Sequence, residues 1–572
     1  MHKKYSFTTH AQRSPRWLKL ILLELWPFII LILALVIELG HIATSGWIQA
    51  FLYNSDSLTL PLIQQSLMHK EPFLWVFSSQ FFLFPEGLFY AVAAGITDSI
   101  RSALVFSAFL NMVVLYALIR LIAAAGLRVS RTRQQLAALG CCLLLIFYML
   151  LERQPLINQS AIATLFLFTS YYYGVVLAGL FSIYIAIRQF NLNGKVLAAS
   201  KQNLFLVGLA FVVSGLTTFS NPLYIVQFLV PLLVVLFLMV LLNALSWRKA
   251  YLAGIPQVAG SILGYILRKP FIDFVGQSLG THILTQDIPA TLSDLHASVS
   301  ASVHHRSGRV EFVLCFGVIL FCAFYALRWI YLNSHTHDSD RNKRPSVVLF
   351  FLCTLSAIEA ACVVIVSIVT GSMTTRYLLP MFIFPLLGLF PFIYIKLSKC
   401  LYFLLMLALA ILFAWIIILG LSSIHKANIL LSSSYSDSLC LAKALDDKAA
   451  NGVAEYWTAR PIDVYGMHDE RVLQINPNFT IYPWLANLGA YSNKSYSFVI
   501  VDKSEVNGPT YAILPNDPSL PSSPSYVSNC QDMFVYQYSP GSSGYKALNT
   551  DILRSYRLML RYRSTGQISK YL

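Results

Sequence analysis

The run from Leu20 to Leu39, LILLELWPFIILILALVIEL, decides what kind of chain this is. Its length matches the roughly 20 residues that a helix needs to cross about 30 Å of hydrocarbon. Lys3, Lys4, Arg13, Arg16 and Lys19 precede it. It is too long for a signal-peptide core, and no small-x-small cleavage site follows, so it reads as a membrane anchor.

Similar runs recur along the chain. They predict about eleven membrane-spanning helices: Leu18–Gly40, Arg101–Leu127, Leu136–Leu151, Ser170–Arg188, Leu204–Thr218, Pro222–Leu245, Tyr251–Leu267, Val310–Leu332, Pro345–Thr370, Leu378–Ile395 and Tyr402–Ser422. Composition agrees: 57% of the 572 residues are hydrophobic, 12% are charged, and the mean hydropathy is +0.63. A soluble domain carries about a quarter charged residues. The predicted fold class is an α-helical polytopic bundle over residues 1–424, followed by an extracytoplasmic α/β domain over 425–572.

The formal charge of +15 does not mark a nucleic-acid partner. The basic residues sit in short loops between apolar runs and form no patch interleaved with aromatics. One set of loops carries the N-terminal cluster, then Arg128, Arg131 and Arg133, then Arg188, Lys195 and Lys201, then Arg248 and Lys249. The same set continues with Arg328, Arg341, Lys343 and Arg344, and ends with Lys396 and Lys399. The alternate loops hold far fewer. The positive-inside rule then predicts a cytoplasmic N-terminus and an outward C-terminal domain. Membrane lipids are the first implied partner, and a bacterial inner membrane is the expected location.

Two outward loops, 41–99 and 270–309, are long. The first contains the apolar stretches Trp47–Leu52 and Phe73–Phe77, expected to lie along the membrane surface. The second is polar and rich in Ser and His. In the C-terminal region, strands are expected at Val453–Trp457, Val472–Ile475, Phe498–Val501, Tyr511–Leu514 and Met533–Tyr538, and helices at Asp437–Ala449 and Tyr482–Tyr491. Seven of the nine cysteines lie in or at the ends of apolar runs; Cys440 and Cys530 lie in the polar region. In an oxidising compartment those two could bridge its first helix to a late strand.

Ionisable groups at a membrane edge are functional candidates because they are costly to place there. Asp56, in Tyr53-Asn54-Ser55-Asp56-Ser57, can bind a divalent cation such as Mg²⁺ or Mn²⁺, or deprotonate an acceptor hydroxyl. The same segment also suits an Asx turn or a helix N-cap. Glu86 offers a second carboxylate in that loop, or a turn residue. Arg376 and Tyr377, in Arg376-Tyr377-Leu378-Leu379-Pro380, can hold a lipid-linked phosphate, or serve as an interfacial anchor. Asn221 could line the same cavity, or cap a helix that starts at Pro222. His305, beside His304, is a further substrate-binding candidate or a solvated loop residue.

This pattern resembles the GT-C superfamily of polytopic glycosyltransferases, which use polyprenyl-phosphate-linked sugars. The resemblance rests on Asp56 in a long first outer loop, the stretches around Trp47 and Trp75, Arg376-Tyr377-Leu378-Leu379-Pro380, and the outward C-terminal region. It implies inverting sugar transfer from a polyprenyl-phosphate donor to an envelope acceptor, with Asp56 activating the acceptor and Arg376 holding the phosphate. Asp56 is a lone acid rather than Asp-x-Asp, which leaves metal use open. Two other readings compete. One is a flippase or transporter of lipid-linked sugar working through Glu359, near the middle of the ninth run. The other is a non-catalytic bundle of the same shape serving as a scaffold.

Overall fold

The structure, a computed structural model, describes residues 16–152, 162–170, 172–191, 201–272, 288–335, 346–369, 375–394, 399–445, 450–467, 471–504 and 512–568. Arg153, Lys195, Arg341, Lys343, Arg344, Lys396 and Tyr511 lie outside them, as does the N-terminal basic cluster before Arg16. Among the described residues, eight helices are long and apolar enough to cross a membrane: Glu24–Thr44, Ile100–Gly126, Arg131–Leu151, Tyr173–Phe190, Lys201–Ser220, Trp247–Phe271, Arg306–His335 and Val347–Val369. The chain is an integral membrane protein.

Of the other three expected spans, the eleventh is helix Lys399–Gly420, and the sixth and tenth fall on shorter apolar segments, Ile225–Leu241 and Pro380–Phe392. The tenth is broken into a 3-10 turn at Thr375–Leu378, a helical turn at Pro380–Ile383 and a second 3-10 turn at Phe384–Leu389. Pro380 and Pro385 each remove a backbone donor, and here the run breaks at them, whereas helix Trp247–Leu267 continues through Pro256. Elsewhere the bundle packs by close backbone approach. A Cβ on Gly264 would lie 2.2 Å from the Gly215 carbonyl oxygen, and one on Gly260 2.1 Å from that of Phe211. Glycine at these points lets helices Lys201–Ser220 and Trp247–Leu267 touch along their length.

Contacts sort the loops into two ends, as the charge pattern groups them. At one end Glu24 accepts hydrogen bonds from Arg120 (3.1 Å) and Arg131 (2.7 Å), Asn191 donates to the Ala125 carbonyl, and Lys249 donates to that of Phe190. At the other end Trp47 Nε1 and His41 Nε2 reach the Glu152 carbonyl (2.8 and 3.0 Å), and Arg268 donates to the Phe219 and Ser79 carbonyls. Glu152 itself accepts three backbone N–H groups, from Ile162, Ala163 and Thr164.

The first long loop corrects the surface-lying expectation. Trp47, Ala50, Phe51 and Leu52 are buried in the bundle core, and Trp75–Val76 forms a strand, β1. The large apolar side chains left exposed in this loop are Leu67 and Met68 at the end of helix Thr59–Met68, Phe73, and Leu83, Leu88, Val92 and Ile96 of helix Leu88–Ile96 and its approach. In the second loop, helix Ile288–His304 occupies much of the expected polar stretch.

The C-terminal region is a three-layer α/β unit. Its strands are β2 (Asn451–Ala454), β3 (Arg471–Gln474), β5 (Phe498–Asp502), β6 (Tyr526–Cys530) and β7 (Met533–Gln537), in the order β3-β2-β5-β7-β6. The β3-β2-β5 part is parallel and the β5-β7-β6 part antiparallel. Helices Ser436–Ala444 and Tyr456–Tyr465 cover one face through Leu441, Ala459 and Ile462. Helix Ser543–Ser564 covers the other through Leu548, Ile552 and Met559. A disulfide joins Cys440 to Cys530.

Three expectations for this region fail locally. The strand expected over Val453–Trp457 ends at Ala454, because Glu455 starts a helix by accepting the Trp457 N–H at 2.7 Å. The helix expected over Tyr482–Tyr491 is a short strand, β4 (Ala486–Asn487), then one 3-10 turn, Leu488–Tyr491. Residues 512–514 form no strand. Strand β4 pairs antiparallel with β1, so the first loop of the bundle extends into the C-terminal unit.

Candidate functional site

The segment around Asp56 leaves a π-helical turn, Gln49–Tyr53, through extended backbone at Asn54. Asn54 Oδ1 accepts the Asp56 N–H at 3.0 Å, closing an Asx turn. The Asp56 carbonyl accepts the Thr59 hydroxyl at 3.0 Å. Ser55 and Ser57 are buried; Ser55 donates to the Tyr456 carbonyl at 2.9 Å and Ser57 to that of Ala50 at 3.0 Å. The turn is therefore built by Asn54, Ser55, Ser57 and Thr59. The Asp56 carboxylate takes no part in it, nor does it cap helix Thr59–Met68, whose N-cap is Leu58.

That carboxylate instead faces two partners from remote parts of the chain. Arg376 Nη1 donates to Oδ2 at 3.0 Å, across 320 residues. The Tyr456 hydroxyl donates to Oδ1 at 2.7 Å, across 400 residues. Side-chain exposures of 18% for Asp56 and 30% for Arg376 leave the pair open to a ligand, unlike a sealed core ion pair. Tyr456 is buried, and burial, opposed by Arg460 and reinforced by Asp56, holds its hydroxyl well above the ordinary tyrosine range. It stays a donor.

Aromatic rings shape the surroundings. The Arg376 guanidinium lies 5.7 Å from the Tyr172 ring centroid, and Tyr172 packs on Tyr377 at 5.3 Å and on Phe82 at 5.9 Å. Gln227 Nε2 donates to the Tyr377 carbonyl at 3.0 Å, fixing the backbone beside Arg376.

No family model and no curated protein matches this chain. Solved structures similar to it include the apo crystal structure of the Archaeoglobus fulgidus oligosaccharyltransferase, at 11% identity and a TM-score of 0.40, over 85% of this chain and 70% of that one.

Of the residues singled out from sequence, Asp56, Arg376 and Tyr377 come together. Glu86 does not join them. It is buried, accepts the Gly174 N–H at 3.2 Å and leaves Oε2 without a hydrogen bond. Burial pushes its carboxyl up to about 7. Asn221 is also buried, and its Oδ1 accepts the Leu223 N–H at 3.1 Å, a turn-forming bond. Ser220 next to it accepts the Leu83 and Phe84 N–H groups at 2.9 Å, tying down the first loop. His305 is exposed at the joint between helices Ile288–His304 and Arg306–His335, with its ring against His304.

The donor set around Asp56 does not suit a divalent cation. One carboxylate oxygen is taken by a guanidinium and the other by a hydroxyl, and among the described residues no three His, Cys, Asp or Glu side chains gather as a metal would require. The residues missed from sequence are Tyr456, Tyr172 and Gln227. For Tyr456 the usual helix-start signal was absent, since its helix is capped by Glu455 rather than by Ser, Thr, Asp or Asn.

Proposed function

We propose that this protein is a membrane glycosyltransferase that moves a sugar from a polyprenyl-phosphate donor to an envelope acceptor on the outer face of the membrane. The observation that carries the reading is the half-open Asp56–Arg376 pair, a base and a fixed cation at 3.0 Å. In this scheme the Arg376 guanidinium, with five donors in a rigid fork, holds the phosphate of the donor. The acceptor hydroxyl oxygen attacks the anomeric carbon, and its proton passes to the Asp56 carboxylate. The bond from the anomeric carbon to the phosphate oxygen breaks, and its electron pair leaves with polyprenyl phosphate. General-base help contributes about 10²–10⁴ in rate, and the guanidinium stabilises the charge gathering on the departing phosphate. Attack opposite the leaving group inverts the anomeric centre.

The outward placement rests on the positive-inside reading of the loops, whose basic members gather at the end away from Asp56. The test is Asp56→Asn in the folded protein, with cell-envelope glycans and glycolipids profiled against wild type. Loss of a glycosylated species is the expected result. An unchanged profile with full activity would sink the catalytic role of Asp56 and leave its carboxylate as a clamp on Arg376 and, through Tyr456, on the C-terminal unit, as a scaffold would use it.

One observation favours a transport reading. Glu359 is fully buried in helix Val347–Val369, and neither of its carboxylate oxygens has a hydrogen-bond partner. Loss of lipid-linked-sugar movement in Glu359→Gln vesicles, without any transfer chemistry, would decide for it.

A further inference from the structure

We propose that Tyr456 is the positioning residue of the Asp56 base, so that the C-terminal unit supplies a working part of the site; this rests on the transferase reading above. Helix Tyr456–Tyr465 lies along the first loop and is bound to it on both sides of Asp56. Before Asp56, the Tyr465 hydroxyl donates to the Leu52 carbonyl at 3.0 Å, and Ser55 donates to the carbonyls of Tyr456 and Trp457 at 2.9 and 3.2 Å. After it, Arg460 Nη2 donates to Thr59 Oγ1 at 2.9 Å and Gln65 Nε2 to the Asp463 carbonyl at 2.9 Å. The first residue of that helix then places its own hydroxyl on the carboxylate.

The Tyr456 ring cannot drift. It packs edge-on against Trp457 and Tyr482, with centroids at 4.9 and 5.5 Å, and the Arg460 guanidinium lies 5.1 Å from its centroid. Its helix is started by the Glu455 carboxylate, which accepts the Trp457 N–H and the Thr458 hydroxyl.

The need for such a group follows from the competition that a phosphate creates. In the free protein Arg376 and Tyr456 hold one carboxylate oxygen each. An arriving phosphate diester draws the guanidinium toward itself, because charge-assisted bonds to phosphate compete directly with those to carboxylate. Asp56 is then oriented by Tyr456 alone. A hydroxyl that donates to one oxygen leaves lone pairs on the carboxylate for the acceptor proton. It also carries no charge that would compete for the phosphate.

The test is a double-mutant cycle on the full chain in native membranes, which contain the acceptor. The probe is a polyprenyl-phosphate-linked hexose radiolabelled in the sugar, and the readout is label leaving the polyprenyl-phosphate pool, per mole of protein. Y456F keeps the ring contacts and removes only the hydroxyl. It is expected to lower Vmax by roughly tenfold while the donor KM stays within about twofold, the signature of an interaction used in the transition state. D56N/Y456F is expected to match D56N alone, because residues that act as a unit are not additive. Wild-type Vmax in Y456F would overturn the proposal, as would losses that multiply in the double variant. So would a Vmax loss that tracks a lowered melting temperature of the C-terminal unit. If D56N itself turns over donor at the wild-type rate, the transferase reading falls, and this proposal with it.

Discussion

Two partly exposed ion pairs sit at opposite ends of the bundle, and they are built differently. At the basic-loop end, Glu24 meets Arg120 and Arg131 at 3.1 and 2.7 Å. Arg120 also donates to Gln134, whose amide reaches the Leu127 and Val129 carbonyls in the turn between two neighbouring helices. Every member of that set secures one helix-to-helix turn. At the other end, Asp56 meets Arg376 at a similar 3.0 Å, but secures no turn. Its backbone geometry is already fixed by Asn54, Ser55, Ser57 and Thr59, and its carboxylate is left for Arg376 and for a tyrosine from a different structural unit. A charge whose local fold is secured by other residues is available for chemistry. A charge that is itself the fastening is not.

Breaking each pair should show that difference, with D56N giving the largest effect. Turnover of a polyprenyl-phosphate sugar should fall by about 10²–10⁴, with little change in melting temperature, since Asn preserves the shape and the turn does not use the side chain.

Next comes Arg471→Ala. Arg471 is buried between Asp463, at 2.7 and 3.1 Å, and Glu71 of the first loop. Its removal takes the cation from buried Asp463 and leaves Glu71 to the Lys494 cation, at 3.6 Å, where the loop meets the C-terminal unit, costing about 3–5 kcal/mol. Limited proteolysis and melting curves should show the unit loosened. Turnover should fall too, because helix Tyr456–Tyr465, which carries Asp463, would lose its register, while the Glu24 end stays intact.

Much of this arrangement could be read from the residues. Span length and loop charge act locally, so the apolar runs and the grouping of loops at two ends were legible, and with them the placement of Asp56 and Arg376 at one end. The Tyr456 contact was not, because it joins positions 400 residues apart and depends on how an α/β unit docks. Trp47–Leu52 shows a different limit: an apolar stripe looks the same whether it meets lipid or protein, and here it meets protein. Helix Ser543–Ser564 escaped notice because its sequence is polar, although Leu548, Ile552 and Met559 recur at helical spacing behind a Ser542 cap. The tenth run misled through length, since its prolines cut a membrane-long stretch into short turns.

Glu86 provides a third, pH-dependent contrast near the first loop. Its carboxyl is raised by burial from an ordinary 4.5 to about 7. Because the folded value is the higher one, the contribution of the protonated group is present in full below the unfolded value near 4.5. It is lost as pH rises to about 7, over a range worth about 3 kcal/mol. Glu86→Gln should therefore match wild type in melting temperature at pH 4 and exceed it at pH 8. Equal curves at both would contradict the assignment. The smallest effect belongs to Glu24→Gln, at about 0–1 kcal/mol of stability, with turnover unchanged.

The claim tested most directly by a single measurement is that the end carrying Asp56, Arg376 and Tyr456 faces away from the cytosol. Single cysteines would replace exposed Ser434, beside the C-terminal unit, or exposed Thr132, in the basic-loop end, in a background lacking the free cysteines. Intact cells are then treated with a membrane-impermeant maleimide. Label on Ser434→Cys without permeabilisation, and on Thr132→Cys only after it, is the result predicted here. The reverse pattern would put Asp56 and Arg376 in the cytosol and contradict sugar transfer on the outer face.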